Sequence, residues 1–597
     1  MRQKFVTSRS PPRVHRVLSC VTLGALALLA ARAHAAEPRI TSAVPTAGGW
    51  QVAVQDIASP AFQLDGQAVT ARRSAGGQGD GNTWDIPATD AAAAARLVIK
   101  QGNRDILALR LKADTPAAAP FSDWTVYHIM LEDFANGDAS NDRAGLRRWV
   151  HPNYAGGDLQ GVLGKVDYLK SLGVNAVWLS PLFAAETSHG YDVMNYYRVG
   201  DAVAVPRDRD AAMQLYHKTV DALHAAGIRV ILDLPLNHAS GSYERRDGDP
   251  QGLKPKATAA QQEAEKLWES WNTGFRFWNF QDAGTREFLT DVGRFWLTEG
   301  KVDGFRLDYV RGVPHDFWAE FYAAMKATKP DAFLFGEAWQ DAAAPGPNAE
   351  DIATYYAPVP GIGPQFDGLI GFPMQMVMTE VFARGAGSAT ELEYWLQYTG
   401  ALYGAQGQPV NFLDNHDMSR FLAWTGTQHG HERLLAALGF MAALSSPMVV
   451  FYGTETGING GRPEAGFSDA GRIPMPWNSL DTRLIGRVAE ILKARAQLPA
   501  ITRGARLPLF CDDKVLVMRK QHPSGDVLVA VNLGEAERTV QLPAAAVGAG
   551  SGAWESVLGT SAPQVSGDGS INWTLPPLST SWARHQVPVR AAAHAII

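Results

Sequence analysis

Cysteine is scarce, with only 2 in 597 residues, so a disulfide framework is excluded. The chain also lacks a basic excess. Its 54 Lys and Arg stand against 60 Asp and Glu, which leaves no positive field for a phosphate backbone and excludes nucleic acid as a partner. Apart from one short stretch near the N-terminus there is no long apolar run, which excludes a multi-span membrane protein. No Gly-x-Ser-x-Gly elbow, Walker loop or His-Glu-x-x-His motif occurs, so the signals of serine hydrolases, nucleotide hydrolases and zinc proteases are missing. What is there is 46% hydrophobic residues, 58 Gly, 35 Pro and 17 Trp, the composition of a large globular protein with room for about four domains.

The first 35 residues carry Arg2, Lys4, Arg9, Arg13, Arg16 and Arg32 and no acid, then the apolar run Val17 to Ala31 and Ala33-His34-Ala35. Basic, apolar and small residues in that order predict a cleavable signal peptide over 1–35, hence a periplasmic or secreted protein with no membrane contact after cleavage. Setting its six bases aside takes the net charge from −6 to near −12. Cys20 leaves with the leader, and Cys511 alone cannot form an internal bridge.

From 36 to 120, short alternating stretches such as Trp50-Gln-Val-Ala-Val and Arg96-Leu-Val-Ile-Lys, broken by Gly, Asp and Pro, predict a β-sandwich. From 121 to 505 the texture changes to buried-strand runs alternating with amphipathic helices. The eight runs begin at Val126, Val174, Ile228, Val302, Phe333, Gly368, Val410 and Met448, and predict an α/β fold, a (β/α)8 TIM barrel. Helices are expected from Arg209 to Ala226 and from Thr285 to Glu299, ended by Gly227 and Gly300. The wide spacing between Asp233 and Asp308, against the short step from Asp308 to Glu337, predicts an inserted lid subdomain at about 239–284. From 506 to 597 alternating runs predict a second β-sandwich.

A barrel of this kind builds its active site at the C-terminal ends of its strands. There the sequence places Asp233-Leu-Pro-Leu-Asn237-His238, Gly304-Phe-Arg306-Leu-Asp308, Gly336-Glu337-Ala-Trp339 and Asp414-Asn415-His416-Asp417. A single carboxylate at such a position can be a salt-bridged scaffold residue, but acids at four strand ends together are costly to fold around and point to use. Carboxylates clustered without thiols or a metal-binding His pair suit glycoside hydrolysis, in which one acid protonates the leaving oxygen and another attacks or activates water.

These strand ends resemble the signature regions of the α-amylase superfamily, glycoside hydrolase family 13, over nearly the whole chain after the leader. The resemblance implies Asp308 as nucleophile, Glu337 as general acid and base, and Asp417 as the carboxylate that holds sugar hydroxyls in the transition state. Arg306, two residues before Asp308 on one strand, points the same way and pairs its charge with the nucleophile. Retention requires the two reacting carboxyls to stand about 5 to 5.5 Å apart, which neighbouring strands can provide. The resemblance further implies His238 and His416 as donors to the sugar under attack, and His189 and Tyr191, in Ser188-His189-Gly190-Tyr191-Asp192, as a hydroxyl contact and a stacking ring. Asp192 stays open between a functional and a structural role, and Asp233 reads as a scaffold residue that orients Arg306.

The loop after the first strand reads Asn136-Gly-Asp138-Ala-Ser-Asn141-Asp142, followed by Gly156-Gly-Asp158. Five side-chain oxygen donors and the Gly156 carbonyl suit a hard cation, and the segment is similar to a calcium site of bacterial α-glucan enzymes, which implies a structural Ca2+. An Asn/Asp-rich turn without an ion is the alternative. In the lid, Trp268, Trp271, Phe275, Phe277 and Trp278 fit core packing, with one or two left over as sugar platforms. His315-Asp-Phe-Trp318, Tyr452-Gly-Thr-Glu455 and Arg472-Ile-Pro-Met-Pro-Trp477, with the N-terminal sandwich, resemble cyclomaltodextrinases and neopullulanases, yet Arg311-Gly312 departs from the pair usual there. The expected substrate is therefore an α-glucan oligosaccharide or polysaccharide: maltooligosaccharides, cyclodextrins or starch-type glucans. An ordinary secreted α-amylase and a transglycosylase remain alternatives, a non-catalytic glycan-binding protein is disfavoured by the full set of acids, and a homodimer through the first sandwich is left open.

Overall fold

The computed structural model describes residues 37–585 apart from 47, 75–81, 89–94, 113–120, 245–274, 341–343, 406, 427, 462–466, 544–546 and 548–552. The expected leader and the lid residues Trp268 and Trp271 lie outside the described residues.

Strands from Arg39–Thr46 to Arg104–Arg110 form two four-stranded antiparallel sheets at the N-terminal end of the described chain. The alternation read in the sequence is physical. In Gly49–Gln55, Trp50, Val52 and Val54 point inward and pack with Phe62, Leu97 and Leu109, while the residues between them face outward.

The eight apolar runs all become barrel strands. They are Thr125–Ile129, Ala176–Leu179, Arg229–Leu234, Gly304–Leu307, Phe333–Gly336, Gly368–Ile370, Pro409–Phe412 and Met448–Phe451, numbered here as barrel strands one to eight. They pair in parallel and in sequence order, and strand eight closes on strand one. Trp178, Ile231, Phe333, Phe335, Val410, Phe412 and Val449 share one buried cluster, so the barrel carries a packed core rather than a pore. Strands Ala505–Cys511 to Ser579–His585 form a five-stranded and a three-stranded antiparallel sheet after the barrel, so the architecture is a TIM barrel flanked by two β domains.

The covering helix Arg209–Ala225 starts where the Asp208 carboxylate accepts the Ala211 N–H at 3.0 Å, and ends before Gly227 in the left-handed region at φ 79°. The helix expected from Thr285 runs instead over Ala283–Thr298, because Asp282 caps it through the Thr285 N–H. Its left-handed turn falls on Lys301 at φ 55°, not on Gly300. After strand three, His238–Ser240 pairs antiparallel with Phe275–Phe277, a two-stranded stem from which the insertion departs.

Candidate active site

Register brings the first functional contact together. Asp233 on strand three lies directly beside Arg306 on strand four. Arg306 is fully buried, and its Nη1 donates to both Asp233 oxygens at 2.9 and 3.1 Å and to Asp308 Oδ1 at 2.6 Å. Nη2 stands 2.6 Å from Glu337 Oε1 at an angle outside hydrogen-bond geometry, so the pair is ionic contact only. One guanidinium thus bridges the ends of strands three, four and five.

Asp233 is the scaffold hub of the cluster. It also accepts from Trp178 Nε1 and from the Tyr191 hydroxyl, both at 2.9 Å. Tyr191 in turn lies 2.7 Å from His416 Nε2, with the two rings stacked 2° from parallel. His416 Nε2 is 3.1 Å from Asp417 Oδ2, and Arg472 Nη2 donates to Asp417 Oδ1 at 3.0 Å. A continuous polar chain therefore runs from Asp308 through Arg306, Asp233, Tyr191 and His416 to Asp417 and Arg472.

Electrostatics divides these groups. Burial raises Glu337 to about 8, with the Asp308 and Asp417 charges adding and Arg306 opposing. Burial likewise raises Asp417, against the pull of Arg472 and Arg306. His238, His416 and His189 are all lowered, by burial first, so they stand neutral and can donate or accept a single hydrogen bond per nitrogen. Glu337, raised by burial, and Asp308 thus share the one Arg306 guanidinium.

A strained backbone supplies the one hydrogen bond of the Glu337 carboxyl, and it opposes the rise that burial causes. Tyr309, one residue after Asp308, sits in the left-handed region at φ 39°, and this bend aims its N–H at Glu337 Oε2, 3.2 Å away.

His238 stacks on Phe275 of the lid stem at 4.4 Å, and its Nε2 lies 3.1 Å from the Tyr191 carbonyl. His189 is more committed than the sequence suggests. Its Nδ1 accepts the Tyr191 N–H at 3.0 Å and its Nε2 is 3.0 Å from Thr187 Oγ1, so both nitrogens already serve their own loop. Asp192 takes the Thr187 hydroxyl and N–H and fastens that loop.

Three residues enter with roles the sequence did not reveal. Arg472 holds Asp417 and also donates through Nε to the His416 carbonyl at 2.8 Å. Tyr309 acts through its backbone. Asp133, just after strand one, is raised to about 8 by burial and by its neighbour Glu132, and meets the Tyr452 hydroxyl at 3.3 Å. The Arg311-Gly312 departure also has a steric reason: a Cβ at 312 would lie 2.4 Å from Asn237 Oδ1, so no larger side chain fits without displacing that buried amide.

The loop after strand one gathers the six expected metal residues unevenly. Asp158 Oδ1 accepts from the Gly137 and Gly161 N–H groups at 3.0 and 2.6 Å, and Oδ2 from the Asp138 N–H and Asn141 Nδ2, both at 2.9 Å. Asp158 is thus the N-cap of the helix Leu159–Leu163 and the anchor of the loop at once. Asn136 Nδ2 donates to Asp142 Oδ1 at 2.8 Å, and Gly156, at φ 72°, leaves no room for a Cβ, which would come within 2.3 Å of that oxygen. Asn141 Oδ1 is buried without a partner. Asp138 is half-buried and accepts the Ser140 N–H. Among the described residues no group of three or more His, Cys, Asp or Glu is placed to hold a metal ion, so any cation here would rest largely on amide and carbonyl oxygens.

A model of the α-amylase catalytic domain matches residues 128–274 and 276–482. Neopullulanase 2 of Thermoactinomyces vulgaris is 31% identical over 411 residues, covering 64% of this chain and 63% of that enzyme, so the match spans less than two thirds of the relative's length. A cyclomaltodextrinase of a Bacillus species is 28% identical over 444 residues, 70% of this chain and 74% of that one. The crystal structure of an Anoxybacillus α-amylase superposes with a TM-score of 0.65 at 26% identity, over 78% of this chain and 99% of that one. On this breadth of match, the chain belongs to the α-amylase family, glycoside hydrolase family 13.

Proposed function

We propose that the protein is a retaining hydrolase of α-glucosidic bonds, mainly α-1,4, in maltooligosaccharides, cyclodextrins or starch-type glucans. The observation that carries this reading is the single guanidinium of Arg306 shared by Asp308 and Glu337, with Glu337 raised to about 8 by burial. Asp308 Oδ attacks the anomeric carbon while protonated Glu337 gives its proton to the departing oxygen, forming a covalent glycosyl-Asp308. Glu337, now ionised, takes a proton from water, whose oxygen attacks the same carbon and releases Asp308. Asp417, oriented by Arg472 and His416, receives the hydroxyls of the ring as it flattens toward the transition state.

Proton NMR of the first product formed from maltotriose or a cyclodextrin tests the stereochemistry. The α-anomer appearing before mutarotation supports the reading, and the β-anomer contradicts it. Relative rates on cyclodextrin, pullulan and soluble starch separate a cyclodextrinase from an ordinary α-amylase, and sugar products longer than the substrate would mark transglycosylation.

A structural Ca2+ is part of the proposal. Asn136, Asn141, Asp142 and the Gly156 carbonyl would hold it, with Asp138 and Asp158 framing the loop; the buried, unpartnered Asn141 Oδ1 is the atom that fits a cation best. Calcium removal by chelator is expected to lower Tm by several degrees, reversibly on adding Ca2+ back. Export by the leader rests on its charge and apolar pattern, and N-terminal sequencing of the protein from a native fraction checks it.

A further inference from the structure

Only four large hydrophobic side chains are exposed among the described residues: Trp149 at 39%, Ile362 at 43%, Phe467 at 44% and Val565 at 49%. Two of the four, both aromatic, sit on loops bonded to the catalytic cluster. The Trp149 carbonyl accepts the Ser188 N–H at 3.3 Å, and its ring lies 5.5 Å from His189 and 5.3 Å from His151. Phe467 precedes Ser468, whose N–H donates to the Asp417 carbonyl at 2.8 Å. The two loops are joined to each other, since Asn153 Nδ2 donates to the Arg472 carbonyl at 3.1 Å. They are the loops that follow barrel strands one and eight; in an eight-stranded ring strand one lies opposite strand five, which leads into Glu337, and strand eight opposite strand four, which leads into Asp308.

Trp149 leaves 39% of its surface open to solvent, so part of the indole face remains free to be covered by a ligand. The pyranose faces of an α-glucan are patches of C–H bonds that match a flat ring, and the polar edges of the sugar stay solvated. The leaving group departs on the side of its proton donor, Glu337, so a ring opposite Glu337 meets the part of the substrate that stays bound to Asp308. We propose that Trp149 is a stacking platform for a glucose unit beyond the one under attack, on the non-reducing side, with Phe467, on the loop tied to it through Asn153, as a lesser contact. This deepens the reading given above and rests on it for the identity of the ligand.

Two measurements on the full chain test it. In an Asp308→Asn background, which binds without turning over, calorimetric titration with maltoheptaose should show Trp149→Ala weakening binding about tenfold, equivalent to about 1.4 kcal/mol. Trp149→Phe, which keeps an aromatic face, should recover most of that affinity, and Phe467→Ala should show a smaller loss. In the otherwise native enzyme, Trp149→Ala should lower kcat/KM for maltoheptaose by about tenfold more than for 4-nitrophenyl α-glucoside, whose single glucose cannot reach the platform. Equal binding of maltoheptaose with and without Trp149, or equal losses on the two substrates, would overturn the platform. If the native enzyme binds maltoheptaose but cleaves nothing, the hydrolytic reading fails, and the binding arm alone then decides the platform.

Discussion

Two buried carboxylates, Asp158 in the loop after strand one and Glu337 at the end of strand five, show how the fold satisfies one acid and leaves another partly unsatisfied. Asp158 is fully buried, and both its oxygens are filled by four N–H donors. Glu337 is almost as buried, yet it has one backbone N–H and an ion-pair contact that makes no hydrogen bond. The first has its charge satisfied by the fold. The second is left partly unsatisfied, so burial raises it to about 8 and it keeps a proton to give away. Burial alone does not distinguish them; the count of donors does.

The largest effect is expected where the unsatisfied acid is removed. Glu337→Gln should lower kcat on maltooligosaccharides by about 10³-fold or more. Its stability should move the other way. A carboxyl whose folded value lies above its unfolded one loses stability as pH rises from the ordinary carboxylate range toward about 8, so the Gln variant should exceed the native protein by at least about 1 kcal/mol in urea unfolding at pH 8, with the gap closing toward pH 4. A Gln variant less stable than native at pH 8 would break the comparison.

Arg472→Gln comes next. It frees Asp417 and leaves the His416 carbonyl without its donor, so kcat should fall about 100-fold, with a smaller change in KM. Asp158→Ala sharpens the other side of the comparison. Four N–H donors, the helix-capping Gly161 N–H among them, lose their acceptor together, which should cost about 3 kcal/mol of stability, while the fraction that stays folded keeps KM near its native value. The smallest effect is a pH limb: kcat should fall as pH rises through about 8, where Glu337 loses its proton, and the limb should vanish for an aryl glucoside whose leaving group needs no acid.

Much of this was legible in the sequence because it is periodic or ordered along the chain. All eight apolar runs became barrel strands, and Asp308 and Glu337 each stand one residue past a strand end, with Asp417 in the loop after strand seven. What was not legible depends on contacts between distant residues or on backbone shape. Arg472 reaches Asp417 across 55 positions, and nothing in its own segment announces that partner. The bend at Tyr309 and the lack of space at Gly312 are conformational facts with no composition signal. The family resemblance implies His189 as a sugar contact, but the fold spends both its nitrogens on Thr187 and the Tyr191 N–H. Asp158 shows the same limit: an oxygen ligand and an N-cap look alike in one dimension, and only the four converging N–H groups separate them.

The central claim is that Asp308 becomes covalently attached to the sugar. Incubation with 5-fluoro-α-glucosyl fluoride, which slows both steps and lets an intermediate accumulate, followed by proteolysis and mass spectrometry, tests it most directly. The account predicts one added fluoroglucosyl group on the peptide containing Asp308, absent in Asp308→Asn and more long-lived in Glu337→Gln. An adduct on another residue, or substrate turnover with no adduct and inversion at the anomeric carbon, would contradict it.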